Sequence, residues 1–198
     1  MPSATRWAGV SPADRQAERR TLLVQAAFGL FGDGGEAAVS VRSVCRAAEL
    51  NTRYFYESFT DTDALLGAVY DEVALELGGI LTAVMASARD ERVRLRAGIR
   101  AVLDFSSADP RRGKILFTEA RTNPVLAARR SIAQDHVREL VLDEQRRTAP
   151  ESDRVATEVG AAMYAGAMAE LAQQWLAGTL GDDVDAVVGY AVRLLLPN

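Results

Sequence analysis

The sequence of 198 residues predicts an all-α fold with about nine helices and no strand. Apolar residues recur at helical spacing through nearly every stretch, and none alternates with the period of two that is typical of a half-buried strand. Side chains that cap helix N-termini precede most of these stretches, and glycine or proline often follows them. Hydrophobic residues make up 48% of the chain and charged residues 25%, which is the balance of a soluble globular protein.

Four helices are predicted in the N-terminal part of the chain. The residues expected to begin them are, in order, Ser11 with Pro12, Ser40, Asn51, and the pair Thr60 and Asp63, which resembles a capping box. The first helix should end at the glycines of residues 33–35 and the second near Ala48. These signals predict one long helix, two short helices and a second long helix.

Five further helices are predicted beyond residue 90. Their expected ranges are 91–107, 110–121, 123–147, a long helix that follows Pro150 and ends near Gly178, and 181–197. No repeat or low-complexity linker interrupts them. We therefore expect the two parts of the chain to meet within the fourth helix.

Several compartments and protein classes are disfavoured by composition. No apolar run approaches the roughly 18 residues that span a bilayer, and no secretion signal is visible near Arg6 and Trp7. Cys45 is the only cysteine, so no disulfide can form within the chain. These features predict a cytoplasmic protein without a membrane partner.

The sequence gives little support to an enzyme. It has one histidine and one cysteine, and it lacks a glycine-rich phosphate loop, a nucleophile elbow and a Cys/His metal set. We therefore expect no catalytic residues, no metal and no cofactor. The net charge of −4 divides into +1 through Thr60 and −5 beyond it, which neither supports nor excludes nucleic-acid binding.

The segment 41–66 has the layout of a helix-turn-helix. Two short helices are separated only by Glu49 and Leu50, and a third packing element follows. Phe55 and Phe59 lie four residues apart and can form the apolar underside of the second short helix. Its opposite side would then present Thr52, Arg53, Tyr54, Tyr56 and Glu57. Arginine suits a guanine edge or a phosphate, and tyrosine hydroxyls suit phosphates.

Residues 40–66, SVRSVCRAAELNTRYFYESFTDTDALL, closely resemble the signature of the TetR family of regulators. The first helix, which ends in Leu30-Phe31 before a glycine-rich turn, resembles the family too. The resemblance covers about the first third of the chain. It implies a DNA-binding domain with an N-terminal arm at 1–62 and an effector-binding and dimerisation domain at 63–198. The residues expected at the DNA are Ser40, Arg42, Asn51, Thr52, Arg53, Tyr54 and Tyr56.

Three positions depart from the family pattern. Glu49 replaces the usual glycine of the turn, where a left-handed backbone would cost about 1 kcal/mol. Thr62 replaces a lysine that neutralises a phosphate, and Ser58 replaces an aromatic residue. We expect basic residues of the N-terminal arm to supply the missing phosphate contacts, namely Arg6, Arg15, Arg19 and Arg20, with Trp7 beside them.

The resemblance implies a homodimer formed by the last two long helices. The sequence supports this with a stripe of mostly small residues on one helix and a second stripe on the next. The predicted interface consists of Ala161, Ala165, Met168, Ala172, Trp175, Val187, Val188, Ala191, Leu194 and Leu195. Two helices from each subunit would form a four-helix bundle. A core within the single chain could explain the same stripe.

The resemblance also implies an effector pocket among helices four to eight. The predicted lining is Met85, Phe105, Phe117, Arg121, Met163, Ala167, Glu170 and Leu171, with Glu119, Gln134, His136 and Gln174 as further polar candidates. Most of the apolar residues would serve equally well as plain core. A mainly apolar pocket would suit a lipophilic or aromatic small molecule.

Together these features predict a DNA-binding transcriptional regulator whose partners are double-stranded DNA, a second copy of itself and a small-molecule effector. We expect a repressor that the effector releases from a palindromic operator. The alternative is a helical interaction protein with a degenerate helix-turn-helix and no specific DNA binding.

Overall fold

The computed structural model describes residues 11–87, 90–119, 123–148, 151 and 153–196. These residues form nine α-helices and no strand, as the sequence predicts. They divide into two compact units between Val69 and Tyr70. No helix in the described ranges has the length and apolar character needed to span a membrane.

The helices of the first unit are α1 (Pro12–Gly34), α2 (Val41–Ala47), α3 (Thr52–Tyr56) and the beginning of α4 (Thr62–Ser87). A short 3₁₀ turn, Glu36–Ala38, connects α1 to α2. The interior of this unit is formed by large side chains that have no exposed surface, namely Leu23, Phe31, Val44, Phe55 and Leu65. They hold α1, α2 and α3 against one another.

Short-range capping explains where these helices begin. Ser11 accepts a hydrogen bond from the Asp14 backbone at 3.1 Å, and Asn51 Oδ1 accepts one from the Arg53 backbone at 2.9 Å. The predicted capping box of Thr60 and Asp63 is wrong. The cap of α4 is Asp61, whose Oδ1 accepts from the Ala64 backbone at 2.7 Å.

The second unit contains the rest of α4 and five further helices. These are α5 (Glu91–Ala108), α6 (Pro110–Gly113), α7 (Pro124–Thr148), α8 (Arg154–Leu176) and α9 (Val184–Leu195). Helix α5 packs against α8 and α9, and α7 packs along α8. A buried ion pair joins α5 to α7, because Arg94 Nη1 lies 3.1 Å from Glu144 Oε1 and both side chains are nearly inaccessible.

The predicted continuous helix at 110–121 is only partly present. The α-helix ends at Gly113, and a π-helical turn, Lys114–Thr118, follows it. At Gly113 a Cβ atom would lie 2.6 Å from Leu176 Cδ1 and 2.9 Å from Ser106 Cβ. The chain therefore passes so close to α5 and α8 here that only glycine fits, a constraint that local periodicity does not reveal.

The predicted dimer stripe on α8 is wrong for four of its five members. Ala161, Ala165, Met168 and Ala172 are buried inside the single chain and so are unavailable to a partner. The large apolar side chains that α8 exposes are instead Val155, Val159 and Met163. Helix α8 carries apolar residues on all sides, so sequence spacing cannot show which face turns inward.

Helix α9 has a clearer division between its two faces. Val188 and Val192 are fully buried, whereas Tyr190 and Leu194 are exposed, Leu194 at 83%. Val188 therefore belongs to the core of this unit and not to the predicted interface. Leu194 remains available to a partner, and Trp175, Val187, Ala191 and Leu195 are partly exposed.

Candidate nucleic-acid interface and ligand cavity

The turn between α2 and α3 contains a strained residue. Glu49 has a φ of 54°, the only positive φ of a non-glycine residue in the described ranges. The Leu50 N–H donates to the Cys45 carbonyl at 2.9 Å, and the Glu49 N–H donates to the Arg46 carbonyl at 3.3 Å. This hydrogen-bond pair is the Schellman motif, in which the left-handed position is usually glycine. The predicted left-handed backbone at Glu49 is confirmed.

Two phenylalanines anchor α3 to the rest of the unit. Phe55 is fully buried and Phe59 nearly so, and their ring centroids lie 5.9 Å apart. The predicted apolar underside of the second short helix is therefore present. It directs the other side of α3 toward solvent.

The exposed side of α3 carries the predicted contact residues Arg53 and Tyr56. The Arg53 side chain is 82% exposed and that of Tyr56 63%. Arg53 Nε donates to Glu57 Oε1 at 3.0 Å, and Arg19 Nη2 lies 3.2 Å from the other oxygen of Glu57. Because two arginines share this one carboxylate, the charge of Glu57 is more than compensated on this face.

Tyr54 differs from its prediction. Its ring lies under the Arg19 guanidinium, with 4.4 Å from Cζ to the ring centroid, and the residue is half-buried. Tyr54 therefore ties α3 to α1 and presents less surface beside Arg53 than predicted. Asn51 and Thr52 are exposed at the N-terminus of α3, as predicted, although Asn51 Oδ1 is occupied by its cap.

Helix α2 adds two basic residues to this side of the unit. Arg42 and Arg46 lie one turn apart and are exposed, and neither forms an ion pair with another described residue. Arg42 is among the residues predicted at the DNA and Arg46 is not, although their spacing of four is visible in the sequence. Ser40 is also exposed, and its hydroxyl donates to Ser43 Oγ at 3.0 Å.

The residues of the N-terminal part that were predicted to supply phosphate contacts have different surroundings. Arg6 and Trp7 lie outside the described residues. Arg19 is held by Glu57 and Tyr54, and Arg20 stacks over Phe59 at 5.0 Å, so both are used in packing. Of this group, only Arg15 lies among the described residues without such a contact.

The second unit contains a cavity of about 760 Å³. Its apolar lining comes from four helices and the π-helical turn, and includes Leu77, Leu81, Val102, Leu116, Phe117, Ile132, Val137 and Met168. The volume lies within the range of small-molecule sites, about 300–1,000 Å³.

A smaller set of polar groups shares this lining. Asp71 and Arg129 form an ion pair, and Arg130 lies beside Arg129 on α7. Burial raises the pKa of Tyr70 to about 12, although the nearby charge of Arg130 partly lowers it. Burial also raises the pKa of Tyr164 to about 12. Both phenols therefore stay neutral and can donate hydrogen bonds at physiological pH.

The structure brings only part of the predicted pocket together. Phe117 and Glu170 line the cavity, as do the further candidates Gln134 and His136. The predicted residues that do not line it are Met85, Phe105, Met163, Ala167 and Leu171, together with the polar candidates Glu119 and Gln174. Arg121 lies outside the described residues. Met163 and Ala167 are wrong because α8 turns its Ala165 and Met168 face inward, and Phe105 is buried beside Arg112.

The cavity also contains residues that were not predicted from the sequence, above all Tyr70, Arg129, Arg130 and Tyr164. The two arginines stand in a polar segment of α7, and no sequence signal distinguished them from a solvated helix face.

Residues 23–69 match the family described as bacterial regulatory proteins, tetR family. The HTH-type transcriptional activator FasR of Mycolicibacterium smegmatis is 28% identical over 127 residues, which are 64% of this chain and 58% of that protein. The HTH-type transcriptional repressor Rv3405c of Mycobacterium tuberculosis is 32% identical over 96 residues, 47% of this chain and 50% of that protein. The chain thus spans about half the length of these curated relatives.

Solved structures show the same fold at lower identity. The fatty acid degradation regulator FadR from Bacillus halodurans matches with a TM-score of 0.74 and 19% identity, over 91% of this chain and 95% of that one. FadR from Bacillus subtilis, solved in complex with stearoyl-CoA, matches with a TM-score of 0.76 and 14% identity, over 89% and 97%. Residues 23–69 thus match the N-terminal domain of the tetR family of bacterial regulatory proteins, and the chain shares the fold of these solved regulators.

Proposed function

We propose that this chain is a DNA-binding transcriptional regulator and that α3 is its recognition helix. The observation that carries the proposal is the orientation of α3. Phe55 and Phe59 bury one side, so Arg53 and Tyr56 point outward from a rigid support. A short helix held in this way can enter a major groove, and an exposed arginine can contact a guanine edge or a phosphate.

Arg42 and Arg46 on α2 extend this surface with two further positive charges. Arginines one turn apart on a helix can contact adjacent phosphates and position α3, without reading sequence themselves. They can replace the phosphate contact that Thr62 does not supply. We therefore add Arg46 to the residues proposed at the DNA.

The working unit is proposed to be a homodimer. A soluble monomer rarely leaves large apolar residues clustered on its surface, yet α8 exposes Val155, Val159 and Met163, and α9 exposes Tyr190 and Leu194. Two such helix pairs can pack as a four-helix bundle. A dimer would present two copies of α3 to half-sites about 34–36 Å apart on a palindromic operator.

The cavity of the second unit is proposed to bind a lipophilic effector. Its lining is mainly apolar, and a structure of the same fold, FadR from Bacillus subtilis, is in complex with stearoyl-CoA. Helix α4 contributes residues to both units, including Leu77 and Leu81 of the cavity. An effector that binds more tightly when α4 is in one of two positions would shift the population between a DNA-binding state and a released state.

Repression is the proposed outcome of DNA binding, because blocking a promoter requires no surface for polymerase. One relative is named an activator and another a repressor, so a transcription assay must test the direction. In that assay the protein should reduce transcript from its own upstream promoter. An increase would show an activator. A regulator of this kind acts in the cytoplasm, where bacterial DNA lies, and needs no catalytic residue.

The first test is fluorescence anisotropy with duplex DNA from the upstream region of the gene, at two salt concentrations. We expect tight binding that survives nonspecific competitor and weakens steeply with salt, because phosphate contacts release counterions. Arg53→Ala with Tyr56→Ala should abolish it. The control is Arg146→Ala on α7, an exposed arginine paired only with acidic neighbours. Operator binding that persists in the double variant would refute the assignment of α3. If genomic selection also recovers no bound fragment, the alternative of a helical interaction protein is favoured.

A further inference from the structure

The charged residues that line the cavity of the second unit differ in whether they have a polar partner. Asp71 and Arg129 neutralise each other in an ion pair, and Gln174 Nε2 donates to the Glu170 carboxylate at 2.8 Å. Arg130 lies in the same lining and has no ion pair with any described residue. Its Nε atom is buried and without a hydrogen-bond partner among the described residues.

The buried Nε–H group of Arg130 costs free energy as long as it has no hydrogen-bond acceptor. The guanidinium cannot lose its proton at physiological pH, and a buried donor without a partner costs roughly 1–3 kcal/mol. A ligand that accepts hydrogen bonds there would recover this cost. The planar guanidinium matches a carboxylate best, because two parallel N–H groups can bind its two oxygens.

Tyr70 supplies a second donor beside Arg130. The residue is almost entirely buried, and the charge of Arg130 acts on its hydroxyl. A neutral phenol next to a guanidinium forms a mixed donor pair for one anion. Most of the accessible surface of the remaining lining is apolar and includes Leu77, Leu81 and Phe117.

We propose that this cavity selects an organic acid with one ionised carboxylate and a long apolar body, and that Arg130 binds the carboxylate. The inference rests on the proposed effector site and names the chemistry of its ligand. A headgroup with several negative charges fits poorly, since Asp71 and Glu170 lie in the same lining and only one arginine lacks an acidic partner among the described residues.

The test is displacement of the neutral fluorescent dye N-phenyl-1-naphthylamine from the purified full chain. The competitors share one alkyl chain and differ in the headgroup: dodecanoate, 1-dodecanol and dodecanoyl-CoA. We expect dodecanoate to bind about tenfold or more tightly than 1-dodecanol, which corresponds to one charge-assisted hydrogen-bonded pair. We expect dodecanoyl-CoA to bind more weakly than dodecanoate.

Variants assign the preference to Arg130. Arg130→Gln should lower the affinity for dodecanoate about tenfold and leave that for 1-dodecanol unchanged, which also shows that the cavity is intact. Tyr70→Phe should weaken dodecanoate binding by a smaller factor. The matched control is Arg146→Gln, which removes the same charge from α7 outside the cavity.

Several results would overturn the proposal. Equal affinity of the unmodified chain for dodecanoate and 1-dodecanol would do so without any variant, and so would tighter binding of dodecanoyl-CoA. Unchanged dodecanoate affinity in Arg130→Gln would remove the assigned residue. The displacement assay contains no DNA, so acid selectivity without operator binding would refute the proposed function alone. Operator binding without acid selectivity would refute only this inference.

Discussion

Replacing Glu49 by glycine tests how the turn between α2 and α3 is built. With a φ of 54°, the backbone of Glu49 lies in the left-handed region, which costs a residue that carries a Cβ atom about 1–2 kcal/mol. Glycine removes this cost but has more freedom in the unfolded chain, worth roughly 0.5–1 kcal/mol. Glu49 is exposed and forms no ion pair with a described residue, so its side chain contributes little else.

The sharp comparison is between Glu49→Gly and Glu49→Ala. Both remove the carboxylate, but only glycine relieves the backbone. We expect the glycine variant to be about 1 kcal/mol more stable than the alanine variant in urea unfolding, or roughly 2–4 °C in the midpoint of a thermal melt. Equal stability of the two variants would refute the reasoning that Glu49 is strained.

The variants Glu49→Gly and Glu49→Ala also separate the effect of the Glu49 charge on operator binding from the effect of its backbone conformation. If this turn lies close to phosphates, both variants should bind operator more tightly than the original chain by a similar factor. The gain should shrink at high salt, because screening weakens the repulsion that was removed. A gain confined to the glycine variant would place the effect in the backbone instead.

Three further predictions concern other parts of the chain. Arg94→Met should destabilise the second unit by about 1.5–3 kcal/mol in chemical unfolding, because the buried Glu144 carboxylate loses one charged hydrogen-bond partner and keeps the exposed Arg147. A loss below 1 kcal/mol would show that the pair is solvated. Met163→Glu should shift the proposed dimer to monomers in light scattering while the helical circular dichroism persists, since this side chain is 64% exposed on the proposed interface. An unchanged oligomeric state would place the interface elsewhere. Burial raises the pKa of the Cys45 thiol, so little thiolate forms near pH 8. Iodoacetamide should therefore modify Cys45 only after unfolding. Rapid modification of the native chain would contradict the burial of this thiol.

Much of the first unit could be predicted from sequence because its determinants are local. A cap such as Ser11 or Asn51 acts on backbone groups two or three residues away. The pair Phe55 and Phe59 defines the buried side of a helix too short to offer another. The Glu49 turn was also predictable, because its left-handed backbone falls on a single residue of the short segment between α2 and α3.

Where several nearby residues can perform one role, sequence alone was less decisive. Both Thr60 and Asp61 can cap α4, and the structure selects Asp61. Tyr54 is drawn under Arg19 by a contact across 35 positions of sequence. Such choices depend on the competing packing of other helices and not on local spacing.

The sequence by itself determined the helical class, most helix ends and the outward side of α3, because capping and periodicity act over a few residues. Only the tertiary structure decided which face of α8 is buried, where the 110–121 helix changes to a π-helical turn, and that Arg130 reaches the cavity. Helix α8 is apolar on every side, and α7 is polar over most of its surface. For such helices the inward face is chosen by the neighbours against which they pack, and those neighbours are distant in sequence.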